Sequence, residues 1–221
     1  MNGFGMTALL RLVLIVLIAS VPSLAGAKTR ESHPGANALL RELRQETHAD
    51  RATVQRWRTL LAQAKKQDSI LVAISRPAEK TKPWKDYRPI FMTAQRRDAG
   101  IAFYRDNQAL LDQVAHDTGV PAEIIVAIIG VETSYGRITG SYKVIDALTT
   151  LALYYPPRAP FFRGELKQLL KLDGQFPQPL EELKGSYAGA MGWGQFMPTS
   201  FAQWAKDGDG DGRIDLWASK P

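Results

Sequence analysis

Glu132 stands near the end of an otherwise almost wholly apolar run, Pro121-Ala-Glu-Ile-Ile-Val-Ala-Ile-Ile-Gly-Val-Glu132-Thr-Ser-Tyr-Gly136. The residues three, four and seven positions before it are Ile129, Ile128 and Ile125. On a helix this carboxylate therefore shares a stripe with large aliphatic side chains, and the stripe predicts a Glu132 held off the solvated face. Apolar surroundings and the negative end of a helix dipole both disfavour the ionised form. Its pKa is expected to rise toward that of a general acid working near neutral pH, the role of a glutamic acid that protonates a glycosidic oxygen. Taken alone, the same residue also fits a frayed helix end reaching water.

Two further stretches carry chemistry. Gly185-Ser-Tyr-Ala-Gly-Ala-Met-Gly-Trp-Gly-Gln-Phe-Met-Pro198-Thr-Ser200 has glycines at 185, 189, 192 and 194, which let a backbone approach a ligand closely or take positive φ. Ser186, Tyr187, Trp193, Gln195 and Phe196 add hydrogen-bonding groups and stacking faces, a combination that suits a sugar. A tightly packed loop with core aromatics is the other reading. Asp207-Gly-Asp-Gly-Asp-Gly-Arg-Ile-Asp215 has acidic residues at loop positions 1, 3, 5 and 9, glycine at 6 and an aliphatic at 8. That is the pattern of an EF-hand calcium loop, with Asp207, Asp209, Asp211 and the Arg213 carbonyl as candidate ligands. Position 12 is Ala218 where the bidentate Glu belongs, so a solvated acidic turn remains the alternative.

The elements that must position these residues read as helices. Gly119 suits the C′ position of one helix and Pro121 the first turn of the next, predicted from Pro121 to about Ser134. Helical spacing runs from Ala36 to about Ile74 through Leu39, Leu40, Leu43, Val54, Trp57, Leu60 and Leu61. Arg76 to Pro83, with two prolines, is a connecting loop. Trp84, Tyr87, Ile90 and Phe91 begin another helical pattern, which extends to include Ala99 to Asp117. Val144 to Tyr155 is a helix ended by Pro156-Pro157, and Pro160 opens one that runs through Leu170. Gly174 to Pro179 is a loop, and Pro198 opens a last helix from Thr199 to about Lys206. No alternation is long enough to predict a strand.

The chain divides at residues 1–27, 28–83 and 84–221. Within the first part Arg11 precedes the apolar run Leu12 to Ala19, and Ala25-Gly-Ala27 supplies a small-x-small cleavage site, which together read as a cleavable signal peptide. The apolar run is shorter than the roughly 20 residues needed to span a bilayer. A soluble, periplasmic or secreted chain starting at Lys28 is expected, with no stable membrane anchor after cleavage; a retained N-terminal anchor is the alternative. The sequence has no cysteine, which excludes disulfides, thiol nucleophiles and a lipid-modified cysteine. Of its 221 residues 45% are hydrophobic, enough to build a core. The net charge of +6 favours acidic partners such as a carboxylate-bearing cell wall. The basic residues are spread and not interleaved with aromatics, so nucleic acid is not expected as a partner.

These residues resemble the membrane-bound lytic murein transglycosylase B family of bacterial cell-wall lyases. The likeness rests on Ile74 to Lys80, Gly119 to Gly136, Asp146 to Leu151, Tyr155 to Ala159, Gly185 to Ser200 and Asp207 to Trp217. It implies a mainly α, lysozyme-like domain at 84–221, preceded by the helical segment and loop of 28–83, with an EF-hand-like loop near its C-terminus. It also implies that peptidoglycan glycan strands are the substrate. The β-1,4 bond between N-acetylmuramic acid and N-acetylglucosamine would be cleaved without water, leaving a 1,6-anhydromuramoyl end. By the same resemblance Glu132 falls on the catalytic acid, Ser186 near the muramic N-acetyl group, and Gln195, Phe196, Tyr87 and Arg158 on cleft positions. No cofactor is required, and calcium binding would be weak. One carboxylate suffices when the sugar's own N-acetyl group stabilises the oxocarbenium-like centre, whereas ordinary glycosidases use two.

Three departures accompany the likeness. Ala27 stands where a lipid-modified cysteine would be, the late acidic ligand of the calcium loop is missing near Pro221, and family members continue past this loop into further helices. The domain is therefore expected to be incomplete. A glycan-binding relative that does not turn over, or a hydrolytic muramidase, is the alternative to an active transglycosylase.

Overall fold

The computed structural model describes residues 32–75, 82–208 and 210–217. The expected signal peptide, most of the 76–83 loop, Asp209 and Ala218 lie outside the described residues.

The first helix, α1 (Ala36–Thr47), buries Ala36, Leu39, Leu40 and Leu43, a single stripe at spacings of three and four. Asp50 caps α2 (Arg51–Gln63) by accepting from Thr53 N at 2.7 Å, satisfying one donor that the first turn leaves orphaned. α2 buries Trp57, Leu60 and Leu61, and α3 (Asp68–Ser75) buries Ile70. α4 (Trp84–Tyr87) runs into a 3₁₀ turn at Arg88–Ile90. Next come α5 (Ala94–Asp106), α6 (Gln108–Thr118) and α7 (Ala122–Thr133). Gly119 closes α6 in the left-handed region at φ 72°, so the chain turns by 112° into α7. α8 (Val144–Tyr154) is buried at nine consecutive positions from Val144 to Ala152. α9 (Ala159–Lys171) packs along it and buries Phe162, Glu165, Leu166, Leu169 and Leu170. α10 (Pro198–Trp204) closes the set.

One core joins α1, α2, α3, α8, α9 and α10, so residues on both sides of position 83 share it. Most polar groups inside it are paired, the buried Thr149 hydroxyl being the exception among the described residues. The Trp57 indole N–H donates to Leu170 O at 2.8 Å. Asp146, 4% exposed, accepts from Lys65 N and Gln67 Nε2. Glu165, 3% exposed, accepts from Thr199 N and the Thr199 hydroxyl, so a buried carboxylate sits on the N-terminal turn of α10. Ion pairs lace the rim, with Arg56 on Asp173 and Glu181, and Arg163 and Lys167 on Glu42. A smaller core holds Leu111, Ala122 and Val126, flanked by Phe103, Tyr104, Ile125 and Tyr135.

The predicted helices are present with ends within a few residues of expectation. A two-residue antiparallel pair, β1 (Tyr142–Lys143) with β2 (Lys184–Gly185), is the strand structure among the described residues; two residues are too few to leave an alternation in a sequence. The orientation of α7 differs from expectation. Its packed face is Ala122, Val126, Ile129, Gly130 and Thr133, while Ile124, Ile128 and Val131 are 51%, 53% and 49% exposed, and Glu132 is exposed with them. The expected exclusion of Glu132 from the solvated face is therefore not observed. A helix apolar on every side has no amphipathic moment to say which side is covered.

Candidate active site

The site is assembled where α7 ends. Ser134 (φ 52°), Tyr135 (φ 63°) and Gly136 (φ 78°) take successive left-handed conformations, two of them in non-glycine residues that disfavour that region. The surroundings hold them there. Ser134 N bonds to Gly130 O, and Tyr135 N to Ile129 O. Arg137 donates to both the carbonyl and the hydroxyl of Ser134 at 3.1 and 3.0 Å. The Tyr135 side chain lies against Gly130 of α7 and Gly100 of α5, where an added Cβ would stand 2.7 Å from its ring and 2.6 Å from its hydroxyl oxygen, and that hydroxyl donates to Arg96 O at 2.9 Å. Glu132 projects into solvent two residues before this turn, on the last turn of the helix.

The Gly-rich loop meets the turn directly. The Thr133 hydroxyl lies 3.1 Å from Ile129 O and 3.2 Å from Trp193 O, and its oxygen accepts from Gly136 N at 3.0 Å. The Trp193 ring covers Gly136 so closely that a Cβ there would stand 2.6 Å from it. The ring also makes an edge contact with Phe103 at 6.0 Å. Within the loop, Ser186 N bonds Ala190 O, and Ser186 Oγ accepts from Ala190 N at 3.1 Å, which leaves the hydroxyl proton uncommitted by that bond. Gln195, at φ 51°, donates through Nε2 to Thr139 O and Gly192 O. Its Oε1 has no hydrogen-bond partner among the described residues. Phe196 pairs its backbone with Met191 and rests its half-buried ring on the main core. At Gly189 the close approach is to the Leu148 side chain, so there the missing Cβ serves packing.

Tyr87 reaches α7 through a chain of rings. It contacts Trp84 and Phe91, Phe91 lies under the Arg96 guanidinium at 5.3 Å, and Arg96 donates to Gly130 O at 2.7 Å. Phe91, Arg96, Val131 and Tyr135 line a cavity of about 360 Å³ on that side. Arg158 lies elsewhere in the contact network, over the Phe161 and Phe162 rings at 4.6 and 5.2 Å. Among the described residues no hydrogen bond or ring contact joins it to the Glu132 turn. Arg96 belongs to the spread basic residues that the sequence does not single out, and Thr133 and Tyr135 had no expected part either. Their Glu-Thr-Ser-Tyr-Gly setting was the available signal, a small-residue stop directly after the carboxylate.

The acidic stretch forms a tight turn. Asp207 accepts from Gly210 N and Gly212 N, both at 2.8 Å, Asp211 accepts from Arg213 N, and Asp215 from Trp217 N. Among the described residues no cluster of three metal-ligating side chains forms, and the EF-hand-like arrangement expected from spacing is not seen as such. The donor set, carboxylates and a backbone carbonyl, suits a hard divalent cation. Asp209 is outside the described residues.

The fold is shared with lytic transglycosylases of known structure. It superimposes on the soluble lytic transglycosylase SltB1 of Pseudomonas aeruginosa with a TM-score of 0.77 at 46% identity, over 84% of this chain and 62% of that one. It superimposes on the Escherichia coli lytic transglycosylase Slt35 in complex with calcium with a TM-score of 0.75 at 39% identity, over 84% and 58%. A profile of the Transglycosylase SLT domain matches residues 35–221, and the chain belongs to that family. The membrane-bound lytic murein transglycosylase B of Escherichia coli strain K12 is 40% identical over 195 residues, 84% of this chain. The chain spans about half, 53%, of that relative's length.

Proposed function

We propose that this chain is a lytic transglycosylase domain acting on the glycan strands of peptidoglycan, with Glu132 as its one acid and base. The observation that carries the proposal is the junction of Thr133 and Gly136 with Trp193, which brings the carboxylate-bearing end of α7 against the loop of Ser186 and Gln195. Glu132 donates a proton to the leaving glycosidic oxygen. As carboxylate it then takes the proton of the muramic C6 hydroxyl, which attacks C1 and closes the 1,6-anhydro ring. The Ser186 hydroxyl can donate to the N-acetyl carbonyl. Gln195 Oε1 accepts from the sugar, and Phe196 and Tyr87 offer ring faces. Arg158 would contribute a cation farther along the strand. A periplasmic location, where murein lies, agrees with this chemistry and with the leader pattern of the sequence.

Mass spectrometry of digested peptidoglycan tests this. Products are expected to end in anhydromuramic acid, and a dominant product heavier by one water per cut would make the enzyme a hydrolytic muramidase. A second reading, glycan binding without turnover, is favoured by one observation: Glu132 is open to solvent, whereas acid catalysis benefits from a site that expels water. Binding of glycan with no new chain ends would support it.

Asp207, Asp211 and the Arg213 carbonyl would hold calcium weakly, and Asp209 is a further candidate from the sequence. Ca²⁺ takes 6–8 oxygens, and a loop short of its late carboxylate falls toward Kd values of roughly 10⁻⁴–10⁻³ M. Melting temperatures with EDTA and with one millimolar calcium are expected to differ by a few degrees at most, because ligand at one to ten times its Kd adds only about 0.4–1.4 kcal/mol of stability. A large upward shift would mean a tight site.

A further inference from the structure

We propose that Thr133 is a positioning residue, whose hydroxyl clasps the end of α7 to Trp193 and thereby sets the place of Glu132 relative to Ser186 and Gln195. The inference rests on the reading of Glu132 as the acid and base. A threonine near a helix end commonly bonds the carbonyl four residues back; Thr133 Oγ1 lies 3.1 Å from Ile129 O, and its one proton is shared between that carbonyl and Trp193 O. Two features exceed that local role. The same hydroxyl lies 3.2 Å from the carbonyl of Trp193, sixty residues away, and accepts from Gly136 N across the left-handed turn.

Thr133 is 1% exposed, so solvent cannot substitute for either partner. Trp193 is itself held from the far side, its backbone N–H donating to Leu216 O at 3.0 Å, and its ring is seated on Gly136. The segment carrying Ser186 and Gln195 is thus fixed at Trp193 to the residue directly after Glu132. Ser134 and Tyr135, both at unfavourable positive φ, leave the turn with conformations it would relax toward if the clasp were released. A small displacement of a reacting group is costly, since about 1 Å can cost roughly 10²-fold in rate.

The test uses the full chain and a soluble glycan of alternating N-acetylglucosamine and N-acetylmuramic acid. Thr133→Val keeps the shape and removes the hydroxyl. It is expected to lower kcat by roughly 10- to 100-fold while KM stays within about threefold, and Thr133→Ser is expected to recover most of kcat. Ile70→Val, a conservative change in the main core, serves as the stability control and keeps parental kcat. Should Thr133→Val not fold, Gly136→Ala, which presses on the Trp193 ring, is expected to give the same kcat-specific loss. Parental kcat in either folded variant, or a loss carried by KM, overturns the proposal. Glu132→Gln separates the two readings. If it abolishes turnover while Thr133→Val does not, only the clasp fails. If Glu132→Gln retains turnover, the assignment of Glu132 fails and the clasp's role fails with it.

Discussion

The helices of residues 36–75 and 144–204 and those of residues 84–133 use the same aliphatic side chains but pack them to different depths. In the first region Leu39, Leu43, Leu60, Ile70, Leu148, Leu151, Leu166, Leu169 and Leu170 are essentially inaccessible. Its elements are cross-tied by Arg56 to Asp173 and Glu181 and by Arg163 and Lys167 to Glu42. In the second, the buried cluster is Leu111, Ala122 and Val126, and Met92, Ile101, Ile124, Ile128 and Val131 are between 44% and 64% exposed. Its ion pair among the described residues joins neighbours, Arg97 and Asp98. Stability therefore resides in the first region, and the candidate acid sits at the edge of the second. The clasp at Thr133 and Trp193 is where a rigid scaffold holds a less buried helix.

The largest effects should fall on opposite observables in the two regions. Glu132→Gln is expected to lower glycan cleavage by roughly 10²–10⁴-fold and leave the melting temperature unchanged, because the side chain is exposed. Leu166→Ala in the main core should cost about 2–5 kcal/mol by urea unfolding, from lost burial plus the cavity left behind. A Glu132→Gln variant as destabilised as Leu166→Ala would erase the distinction.

A smaller effect sharpens it. Ile128→Ser on the open side of α7 is expected to change stability by no more than about 0.5 kcal/mol, as for surface substitutions. A loss of about 2 kcal/mol in the urea midpoint would mean that this face is covered in solution.

Another small effect is acidic. The Arg56 hydrogen bond, with a backbone bond at Glu181 itself, holds the Glu181 carboxyl below the ordinary range. The Lys167 hydrogen bond does the same for Glu42 against the desolvation of burial, with Arg163 adding a further hydrogen bond. Depressed carboxylates contribute stability above the unfolded-state value, about 4.3, and lose it as pH falls through the lower folded-state value. Both pairs are partly exposed, so each should contribute no more than about 1 kcal/mol, screened further by salt. Unfolding midpoints between pH 5 and pH 3 (roughly the window in which carboxylates protonate) should fall in parent protein. Glu181→Gln should flatten part of that fall.

Local chemistry made much of this protein legible before any coordinates. The spacing of Leu39, Leu40 and Leu43, the glycine at 119 and the prolines at 121, 156, 157 and 198 bound the helices, because helical periodicity, positive φ and a missing N–H act within a few residues. The motif around Glu132 and the Gly-rich loop pointed to the transglycosylase family, since both are contiguous in the chain. Which side of α7 is open was not legible, because Ile124, Ile125, Ile128 and Ile129 are alike and only packing against α5 and α6 distinguishes them. Nor was the left-handed pair Ser134 and Tyr135, which no local preference favours. Arg96, Arg137, Gly100 and Gly130 hold it, and the partner that joins it to the Gly-rich loop, Trp193, lies sixty residues away. Those contacts exist only once the helices have packed, so tertiary structure alone decided where Glu132 stands.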